Sequence, residues 1–320
     1  MGSLESLHAE NAVILYNPIA RGLSRRPRSL QSSIEALARQ GISTTLVATK
    51  GPGTATAQAR NLIESGCDLI IAAGGDGTIN EVANGMLHTD VPLAILPGGT
   101  ANVLAREIRL PLPMERVAGQ LREMHPCRVA VGALQMPSHQ RMFLCMTGAG
   151  LDAEIVNRLN LDLKAAVGKF AYYVCGFGQV FHPLTEFQVM VDGNPYEASF
   201  ALISRVRNYG GDLEIARGAS LLRDEFEIVL FRGTIGARYL PYLLGVALGR
   251  AHRMRGCSVV RGRSVTCTPP AGSDVYVQID GEVAGKLPVT ADIVPAALTL
   301  LVPPRYLARE QAFVAVPACA

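Results

Sequence analysis

A glycine-rich turn around one carboxylate is the first stretch of the chain that could do chemistry. The turn, Gly74-Gly75-Asp76-Gly77-Thr78, follows the apolar residues 68–73 and precedes a helical pattern. A strand that leads through glycines into a helix start presents backbone N–H groups and the positive end of the helix dipole to a phosphate. Because a carboxylate beside a phosphate repels it, Asp76 would hold Mg²⁺, orient a hydroxyl nucleophile or take its proton. The alternative is a tight turn in which Asp76 only caps the helix.

A second pair of carboxylates stands late in the chain, at Asp280 and Glu282. The two acids flank Gly281 directly after the strand-like residues 275–279. Carboxylates two residues apart on such a loop can reach into a cleft between domains. There one could act as the base toward a substrate hydroxyl and the other could position metal or nucleotide. An ordinary hairpin turn is the competing interpretation, because Asp-Gly is a frequent turn sequence.

The elements that must position the first turn repeat along residues 1–110. Four apolar, strand-like runs each end in a polar loop and lead toward a helical pattern, and they cover residues 12–16, 43–48, 68–73 and 92–96. This alternation implies a parallel sheet with helices on both faces, so that the four loops meet at one sheet edge. Any one loop alone would be ordinary turn chemistry. Four in series predict a single site whose natural ligand is phosphate.

The pattern changes near Cys127 to short alternating strands separated by turns such as Asp192-Gly193-Asn194-Pro195. Such strands are typical of an antiparallel sandwich, and helical inserts are expected at about residues 153–181 and 235–250. The sequence therefore predicts an α/β plus β fold. Residues 1–127 would form a doubly wound, parallel-sheet (Rossmann-like) nucleotide domain, and residues 128–302 a mainly antiparallel β-sandwich domain.

The composition indicates a folded protein of a reducing compartment. Hydrophobic residues make up 49% of the chain and charged residues 18%, which favours a full core over disorder. The net charge of +3 is too small to predict a nucleic-acid partner. The seven cysteines include no Cys-x-x-Cys pair, so reduced thiols are expected and a zinc site is not. No secretory signal is visible, and the longest apolar stretches, residues 170–181 and 239–248, are too short to span a bilayer.

Taken in order, these motifs resemble the diacylglycerol kinase catalytic-domain family, which includes bacterial soluble lipid kinases, sphingosine kinases and ceramide kinases. The resemblance runs from residue 17 to residue 282 and so covers almost the whole chain. The matching residues are Asn17-Pro18, Thr49, Gly74-Gly75-Asp76-Gly77-Thr78 with Asn80-Glu81-Val82, Pro97-Gly98-Gly99-Thr100-Ala101-Asn102, Gly148-Ala149-Gly150-Leu151-Asp152 and Asp280-Gly281-Glu282.

The resemblance implies a two-domain kinase that binds ATP, together with Mg²⁺, in a cleft. Glu282 is favoured as the proton acceptor, with Asp76 and Asp280 assisting. The last segment, residues 303–320, is expected to pack back on the first domain. The residues expected to line the nucleotide are Asn17, Pro18, Ile19, Ala20, Arg21, Thr49, Gly74, Gly75, Asp76, Gly77, Thr78, Ile79, Asn80, Glu81 and Thr100.

The chain departs from the family pattern at two places. The family often has Asn-Asp where this chain has Asn102-Val103, so one polar contact would be missing. Bacterial members also have a structural magnesium site, formed by two aspartates three residues apart and a backbone carbonyl two residues later. Asp224 and the carbonyl of Phe226 match that site, but the first aspartate falls on Leu221 and the usual glycine after Asp224 is Glu225.

The predicted function is transfer of the γ-phosphoryl group of ATP to a primary hydroxyl of a diacylglycerol-like or sphingoid-like lipid. A lipid acceptor comes from a membrane, so the protein is expected to be cytoplasmic and peripheral at the inner membrane surface, in lipid metabolism such as phospholipid biosynthesis. The candidate membrane surfaces are the apolar residues 167–181 and 239–246 and the arginines Arg250, Arg253, Arg255, Arg261 and Arg263. The competing interpretation of the apolar residues is a core helix, and that of the arginines is a solvated basic face.

Two other functions remain alternatives. An NAD kinase shares the Gly-Gly-Asp-Gly-Thr turn but phosphorylates a soluble nucleotide, and the continuation Asn80-Glu81-Val82 with the Asp280-Gly281-Glu282 loop favours the lipid kinases. A catalytically silent lipid- or nucleotide-binding relative is suggested by Leu221, Glu225 and Val103. It is disfavoured because the acids at 76, 280 and 282 are all present. The sequence does not name the lipid, and a homodimer is left open.

Overall fold

The chain forms two compact units. The computed structural model describes residues 9–26, 28–151, 153, 184–210, 213–235, 239–247 and 254–315. Unit 1 comprises Met1–Ala130 and Ala296–Ala320, and unit 2 comprises Val131–Pro295. The sequence placed the two boundaries after residues 127 and 302. The observed boundaries fall inside the long strands His125–Gln135 and Val289–Val302, each of which runs on from one unit into the other.

Unit 1 is built on a parallel sheet, which confirms the predicted α/β fold. Its first four strands pair in the order β2-β1-β3-β4. They are β1 (Ala12–Tyr16), β2 (Thr44–Ala48), β3 (Leu69–Gly74) and β4 (Leu93–Pro97). The end of β18 (Val289–Val302) joins β4 in parallel, with Leu300 opposite Leu93. All six residues of β3 are buried, as expected for a central parallel strand that is covered on both faces.

The helices of unit 1 follow the strands as the periodicity predicted. Helices α3 and α4 pack together, and Gly85 of α4 makes their close approach possible. A Cβ atom at residue 85 would lie 2.3 Å from the carbonyl oxygen of Thr56 in α3, so a larger side chain would force the helices apart. The helices are α1 (Arg21–Arg25), α2 (Arg28–Arg39), α3 (Ala55–Glu64), α4 (Asp76–Met86), α5 (Val103–Glu107), α6 (Met114–Ala118) and the C-terminal α8 (Pro304–Ala315), with a short 3₁₀ turn at Leu121–Glu123.

Unit 2 contains a six-stranded antiparallel sheet in the order β14-β13-β10-β7-β16-β17. Its strands are β7 (Met146–Gly150), β10 (Phe200–Ser204), β13 (Phe226–Phe231), β14 (Cys257–Gly262), β16 (Tyr276–Ile279) and β17 (Glu282–Lys286). A second layer has the strand order β18-β15-β8-β9, from the start of β18 through β15 (Ser264–Thr268) and β8 (Phe187–Val191) to β9 (Asn194–Ala198). Two further antiparallel pairs are present among the described residues. They are the hairpin of β5 (His125–Gln135) with β6 (Gln140–Phe143) and the short pair β11 (Asn208–Tyr209) with β12 (Leu213–Glu214).

The core of unit 2 lies between these layers. Val189 and Val265 come from one layer and Ile203 and Phe226 from the other, and all four are buried in one cluster. The rings of Phe143 and Phe226 stack with their centroids 5.7 Å apart. Alternate residues of β8, β10, β13 and β15 supply this core, which confirms the predicted β-sandwich.

The helical inserts are described only in part. Helix α7 (Tyr239–Ala247) lies inside the second predicted insert. Residues 154–181 of the first insert, including the apolar residues 167–181, lie outside the described residues, as do Asp152, Arg250 and Arg253. Within the described part of the chain, every helix is too short or too polar to cross a membrane.

Candidate active site

Three loops of unit 1 are tied together at the carboxyl ends of the parallel strands. The backbone N–H of Gly98 donates to the carbonyl of Gly74 at 2.7 Å, and the N–H of Gly22 donates to the carbonyl of Gly98 at 2.8 Å. A Cβ atom at Gly99 would lie 2.7 Å from the Cα atom of Gly75, so only glycine allows these two loops to touch backbone to backbone. The loops that the sequence placed at one sheet edge do meet there.

The loop after β1 is fastened to the central turn through Asn17. Its side-chain amide donates to the Thr78 hydroxyl at 3.1 Å, and its backbone N–H donates to the carbonyl of Ala73 at 2.9 Å. Pro18 and Ile19 follow, and the Ile19 side chain is 78% exposed. Ala20 is buried, and Arg21 begins α1. The residues predicted to bind nucleotide after β1 therefore lie beside the Gly-Gly-Asp-Gly-Thr turn.

Asp76 joins the central turn to the loop before α5. One carboxylate oxygen accepts the backbone N–H of Val103 at 2.7 Å. Burial raises the pKa of the Asp76 carboxyl, although the backbone amides of Val103, Leu104 and Asn102 lower it. The contact comes from the backbone of residue 103, so valine at this position preserves it.

Asn102 shapes that loop and was not predicted as a site residue. It has left-handed backbone angles, φ 50° and ψ 51°, which asparagine tolerates better than most residues. Its side-chain oxygen accepts the N–H of Gly99 at 2.8 Å, and its amide donates to the Gly99 carbonyl at 3.0 Å. The signal in the sequence was an asparagine that follows Gly-Gly-Thr-Ala, a turn-forming position.

Glu81 and Ile79, both predicted at the nucleotide, have side chains engaged elsewhere in unit 1. The Glu81 carboxylate accepts the N–H of Gly53 at 2.9 Å and of Ala55 at 3.1 Å, and so it caps the N-terminus of α3. The Ile79 side chain is in the core. Their backbone is engaged as well, because the N–H of Ile79 donates to the carbonyl of Gly75 at 3.0 Å and the carbonyl of Glu81 accepts the Thr56 hydroxyl at 2.8 Å.

The remaining predicted nucleotide residues are arranged around the same edge. Thr49 follows β2, and its backbone N–H donates to the carbonyl of Tyr16 at 2.8 Å. Gly77 and Thr100 are exposed, one in the first turn of α4 and one in the loop after β4. Asn80 is in α4, where its backbone carbonyl accepts the side-chain amide of Asn84 at 2.8 Å.

The two acids of the second motif have different surroundings in unit 2. Asp280 accepts three backbone N–H groups, from Met146 at 2.8 Å, Cys145 at 3.1 Å and Leu144 at 3.3 Å. Its own backbone has φ 47°, the left-handed conformation of a tight turn. The carboxylate of Asp280 is therefore bound by the start of β7 and holds the hairpin between β16 and β17 in place.

Among the described residues, no backbone N–H donates to the Glu282 carboxylate, which faces solvent. Its side chain is 64% exposed, and the guanidinium of Arg141 lies 3.8 Å away. Between the two acids stands Gly281, at φ 85°, whose N–H donates to the side chain of buried Gln278 at 2.8 Å. The hairpin thus fixes the backbone from which an accessible carboxylate projects.

The residues of unit 2 do not fit the structural magnesium site that the resemblance implied. Asp224 is exposed, whereas the Leu221 side chain is buried and apolar. Phe226 is the first residue of β13, and its backbone pairs with Gly262 of β14. In the part of the chain that the structure describes, no group of three or more His, Cys, Asp and Glu side chains could hold a metal ion.

Two family models match the chain, one on each part of the fold. The model described as the diacylglycerol kinase catalytic domain matches residues 11–134. The model described as the YegS C-terminal NAD kinase beta sandwich-like domain matches residues 145–302. Together they cover both glycine-loop motifs of unit 1 and the Asp280-Gly281-Glu282 hairpin of unit 2.

Full-length relatives and solved structures agree with these matches. A diacylglycerol kinase of Staphylococcus epidermidis is 28% identical over 284 residues, which are 87% of this chain and 88% of that protein. One of Staphylococcus aureus is 27% identical over the same length. A crystal structure of a protein from Bacillus anthracis str. Sterne superposes with a TM-score of 0.80 at 24% identity, over 96% of this chain and 99% of that one. A structure of a diacylglycerol kinase from the same organism has a TM-score of 0.72 at 23% identity, over 93% and 99%. The chain belongs to the diacylglycerol kinase catalytic-domain family.

Proposed function

We propose that this protein is an ATP-dependent lipid kinase that phosphorylates a hydroxyl of a diacylglycerol-like or sphingoid-like lipid. The observation that carries the proposal is the joining of three loops of unit 1 around the N-terminus of α4, through the bonds Gly98 to Gly74 and Gly22 to Gly98. These bonds hold glycine backbone around the first turn of α4, a helix of eleven residues, and the N-terminus of a helix suits the phosphates of a nucleotide. Family membership supports kinase chemistry at this site.

The nucleotide is proposed to enter as ATP with its Mg²⁺, which reduces the charge of the phosphates that the loop amides must meet. Asp76 lies within this set of loops, where the amide of Val103 holds its carboxylate at 2.7 Å. That contact fixes the direction in which the carboxylate points. Asp76 is proposed to orient the reacting groups from this fixed position, while the loop amides bind the phosphates.

Glu282 is proposed as the residue that accepts the proton of the lipid hydroxyl. The hydroxyl oxygen would form a bond to the γ-phosphorus as the bond from that phosphorus to ADP breaks, and the proton would pass to the Glu282 carboxylate. Asp280 is less suited to this step, because its oxygens already accept the N–H groups of Leu144, Cys145 and Met146. Its proposed role is to position the hairpin that carries Glu282.

The lipid acceptor is proposed to be reached by peripheral docking at the inner membrane surface from the cytoplasm. Leu244 of α7 is 61% exposed and Ile235 just before it is 60% exposed. The hydroxyl of Tyr242 in α7 donates to the backbone carbonyl of Arg255 at 3.2 Å, so an exposed arginine lies beside the apolar helix. Apolar and cationic side chains in proximity fit an anionic membrane surface, where each basic residue contributes about 1 kcal/mol.

The alternatives of an NAD kinase and of a silent binding relative are separated by one assay. Labelled γ-phosphate of ATP is offered with Mg²⁺ to lipids in mixed micelles and, in parallel, to NAD. The lipid panel contains diacylglycerol, a sphingoid base and a polyprenol. A labelled lipid product supports the proposal and names the acceptor class. Label in NAD alone would show that the protein is an NAD kinase and would overturn the proposal. ATP binding without any transfer would favour the catalytically silent relative.

The role of Glu282 is tested in the same assay with matched variants. Glu282→Gln keeps the size of the side chain but cannot accept the proton, and a loss on the order of 100-fold or more in kcat is expected. Glu214→Gln changes an exposed glutamate of the same unit and serves as the control. Equal activity of Glu282→Gln and Glu214→Gln would remove Glu282 from the mechanism.

A further inference from the structure

A loop of unit 2 that precedes β13 has its backbone carbonyls gathered around one buried arginine. Arg205 directly follows β10, and its side chain is fully buried. One guanidinium nitrogen, Nη1, donates to the carbonyl of Arg223 at 2.5 Å and to that of Glu225 at 2.6 Å. The other, Nη2, donates to the carbonyl of Leu221 at 2.8 Å. Carbonyls of three alternate residues thus converge on a single positive charge.

Two further buried charges hold the first part of the same loop. Arg207 donates from Nε to the carbonyl of Arg217 at 2.9 Å, and Glu227 accepts the N–H of Gly218 at 2.8 Å. Both side chains are at most 5% exposed. The loop, residues 217–225, has little regular secondary structure of its own. Its backbone groups are therefore satisfied by buried charged side chains where a strand or helix would use other backbone groups.

Converging carbonyl oxygens are also the arrangement that binds a metal cation, and the resemblance placed a structural magnesium on this loop. The residues present do not supply such a site, because Leu221 is apolar and Asp224 is exposed. A guanidinium carries a permanent positive charge and a planar set of donors, so it can satisfy several carbonyls without a metal. Its charge would also repel a second cation brought to the same oxygens.

We propose that Arg205 is the built-in cation of this loop and that residues 217–225 fold around it without any divalent metal. The backbone N–H of Arg205 also donates to the carbonyl of Cys145 at 2.8 Å, and the N–H of Cys145 donates to Asp280. The arginine therefore connects the loop to the segment that cradles the second acidic motif. The inference concerns folding and metal dependence, and it does not rest on the proposed kinase activity.

The first test is the thermal unfolding of the purified full-length protein in excess EDTA and in excess Mg²⁺, followed by circular dichroism. The same midpoint in both conditions is expected, because no metal contributes to the fold of unit 2. Hydrogen exchange of the amides in residues 213–226 should likewise be unchanged between the two conditions. A midpoint that falls in EDTA, with faster exchange confined to these residues, would overturn the proposal.

The second test compares two substitutions of Arg205 with a surface control. Arg205→Met keeps the length of the side chain but leaves the three carbonyls without donors, and the unfolding midpoint should fall by on the order of 10 °C. Arg205→Lys keeps the charge but not the planar fork, and an intermediate fall is expected. Arg232→Met removes an arginine whose side chain is 52% exposed and should change the midpoint little.

The two variants also separate a cation role from simple packing. If Arg205 only fills space, methionine is a good replacement and its midpoint should equal that of the control, which would refute the proposal. If Arg205→Met does not fold, Arg205→Lys still decides the matter through hydrogen exchange. Faster exchange in residues 217–225 with unchanged exchange in Leu69–Gly74 of β3 is expected, and unchanged exchange in both segments would refute the proposal.

Discussion

Substitution of Asp280 tests whether this acid positions the second motif or takes part in proton transfer. Asp280→Ala removes the acceptor of three backbone N–H groups, at 2.8, 3.1 and 3.3 Å. Asp280→Asn retains the oxygen Oδ1, which accepts from Cys145 and Met146, and loses the charge and the contact to Leu144. Asparagine also tolerates the backbone φ of 47° at this position, whereas alanine does not tolerate it well.

The magnitudes follow from these contacts. A hydrogen bond to a charged acceptor contributes about 1.5–3 kcal/mol, and the two shorter contacts count fully. With roughly 1 kcal/mol for alanine in the left-handed region, Asp280→Ala should lower the free energy of unfolding by about 4–7 kcal/mol. For a unit of this size that corresponds to a fall in midpoint on the order of 10–30 °C. Asp280→Asn should lose only about 1–2 kcal/mol.

The assay combines chemical denaturation of both variants with the lipid kinase assay at a temperature where each is folded. Asp280→Asn should lose only about 1–2 kcal/mol of the free energy of unfolding and should retain most of its kcat, since the hairpin that carries Glu282 keeps its shape. Glu282→Gln should show the opposite result, with normal stability and little activity. The reasoning would be refuted by a stable Asp280→Asn variant whose kcat falls as far as that of Glu282→Gln.

Three further predictions concern the carboxylates and glycines of the two units. Burial raises the pKa of Glu227 above its ordinary value of 4.5, and Gly218, Arg261 and Arg207 only partly oppose this. The folded protein therefore holds this proton more tightly, so the free energy of unfolding should fall as pH rises from 4.5 through the raised pKa. Glu227→Gln should weaken that dependence in urea unfolding, and the part that remains is expected from Asp76, whose pKa burial also raises. Gly85→Ala should lower the free energy of unfolding by about 1–3 kcal/mol, measured by thermal unfolding, because its Cβ atom would lie 2.3 Å from the Thr56 carbonyl oxygen. Gly119→Ala is the control, because the atom nearest to its Cβ is 3.4 Å away and little change is expected. Glu81→Gln should lower the free energy of unfolding by about 1–2 kcal/mol, because an amide NH₂ would face a backbone N–H at the start of α3. An unchanged free energy in denaturant unfolding would refute the capping role.

The architecture was predictable because each unit repeats one strong pattern. In unit 1, buried runs such as residues 69–74 alternate with amphipathic helices, and that alternation allows few topologies. In unit 2, strands such as Phe187–Val191 alternate buried and less buried residues, which fixes a sandwich face. The boundaries were harder to place, because His125–Gln135 and Val289–Val302 each pass from one unit into the other without a break in strand character.

The functions of individual side chains were less predictable, because they depend on contacts far apart in sequence. Glu81 stands inside the phosphate-loop motif, yet its carboxylate meets the amides of Gly53 and Ala55. Arg205 does not belong to any of the motifs found in the sequence. The backbone carbonyls that it contacts lie 16 to 20 residues further along the chain, at Leu221, Arg223 and Glu225. Periodicity describes which face of an element is buried, but it does not say which backbone groups a buried charge will meet.

The four acids of the two motifs differ in what their carboxylates contact. Asp76, Glu81 and Asp280 each accept backbone N–H groups from a neighbouring segment and so join segments that are distant in sequence. Of these four acids, Glu282 instead projects into solvent, with Arg141 at 3.8 Å as its ion-pair partner. A general base needs an oxygen that can reach the proton, and three of the four acids use theirs to hold the fold. The exposure of the Glu282 carboxylate is the structural reason for proposing that it accepts the proton.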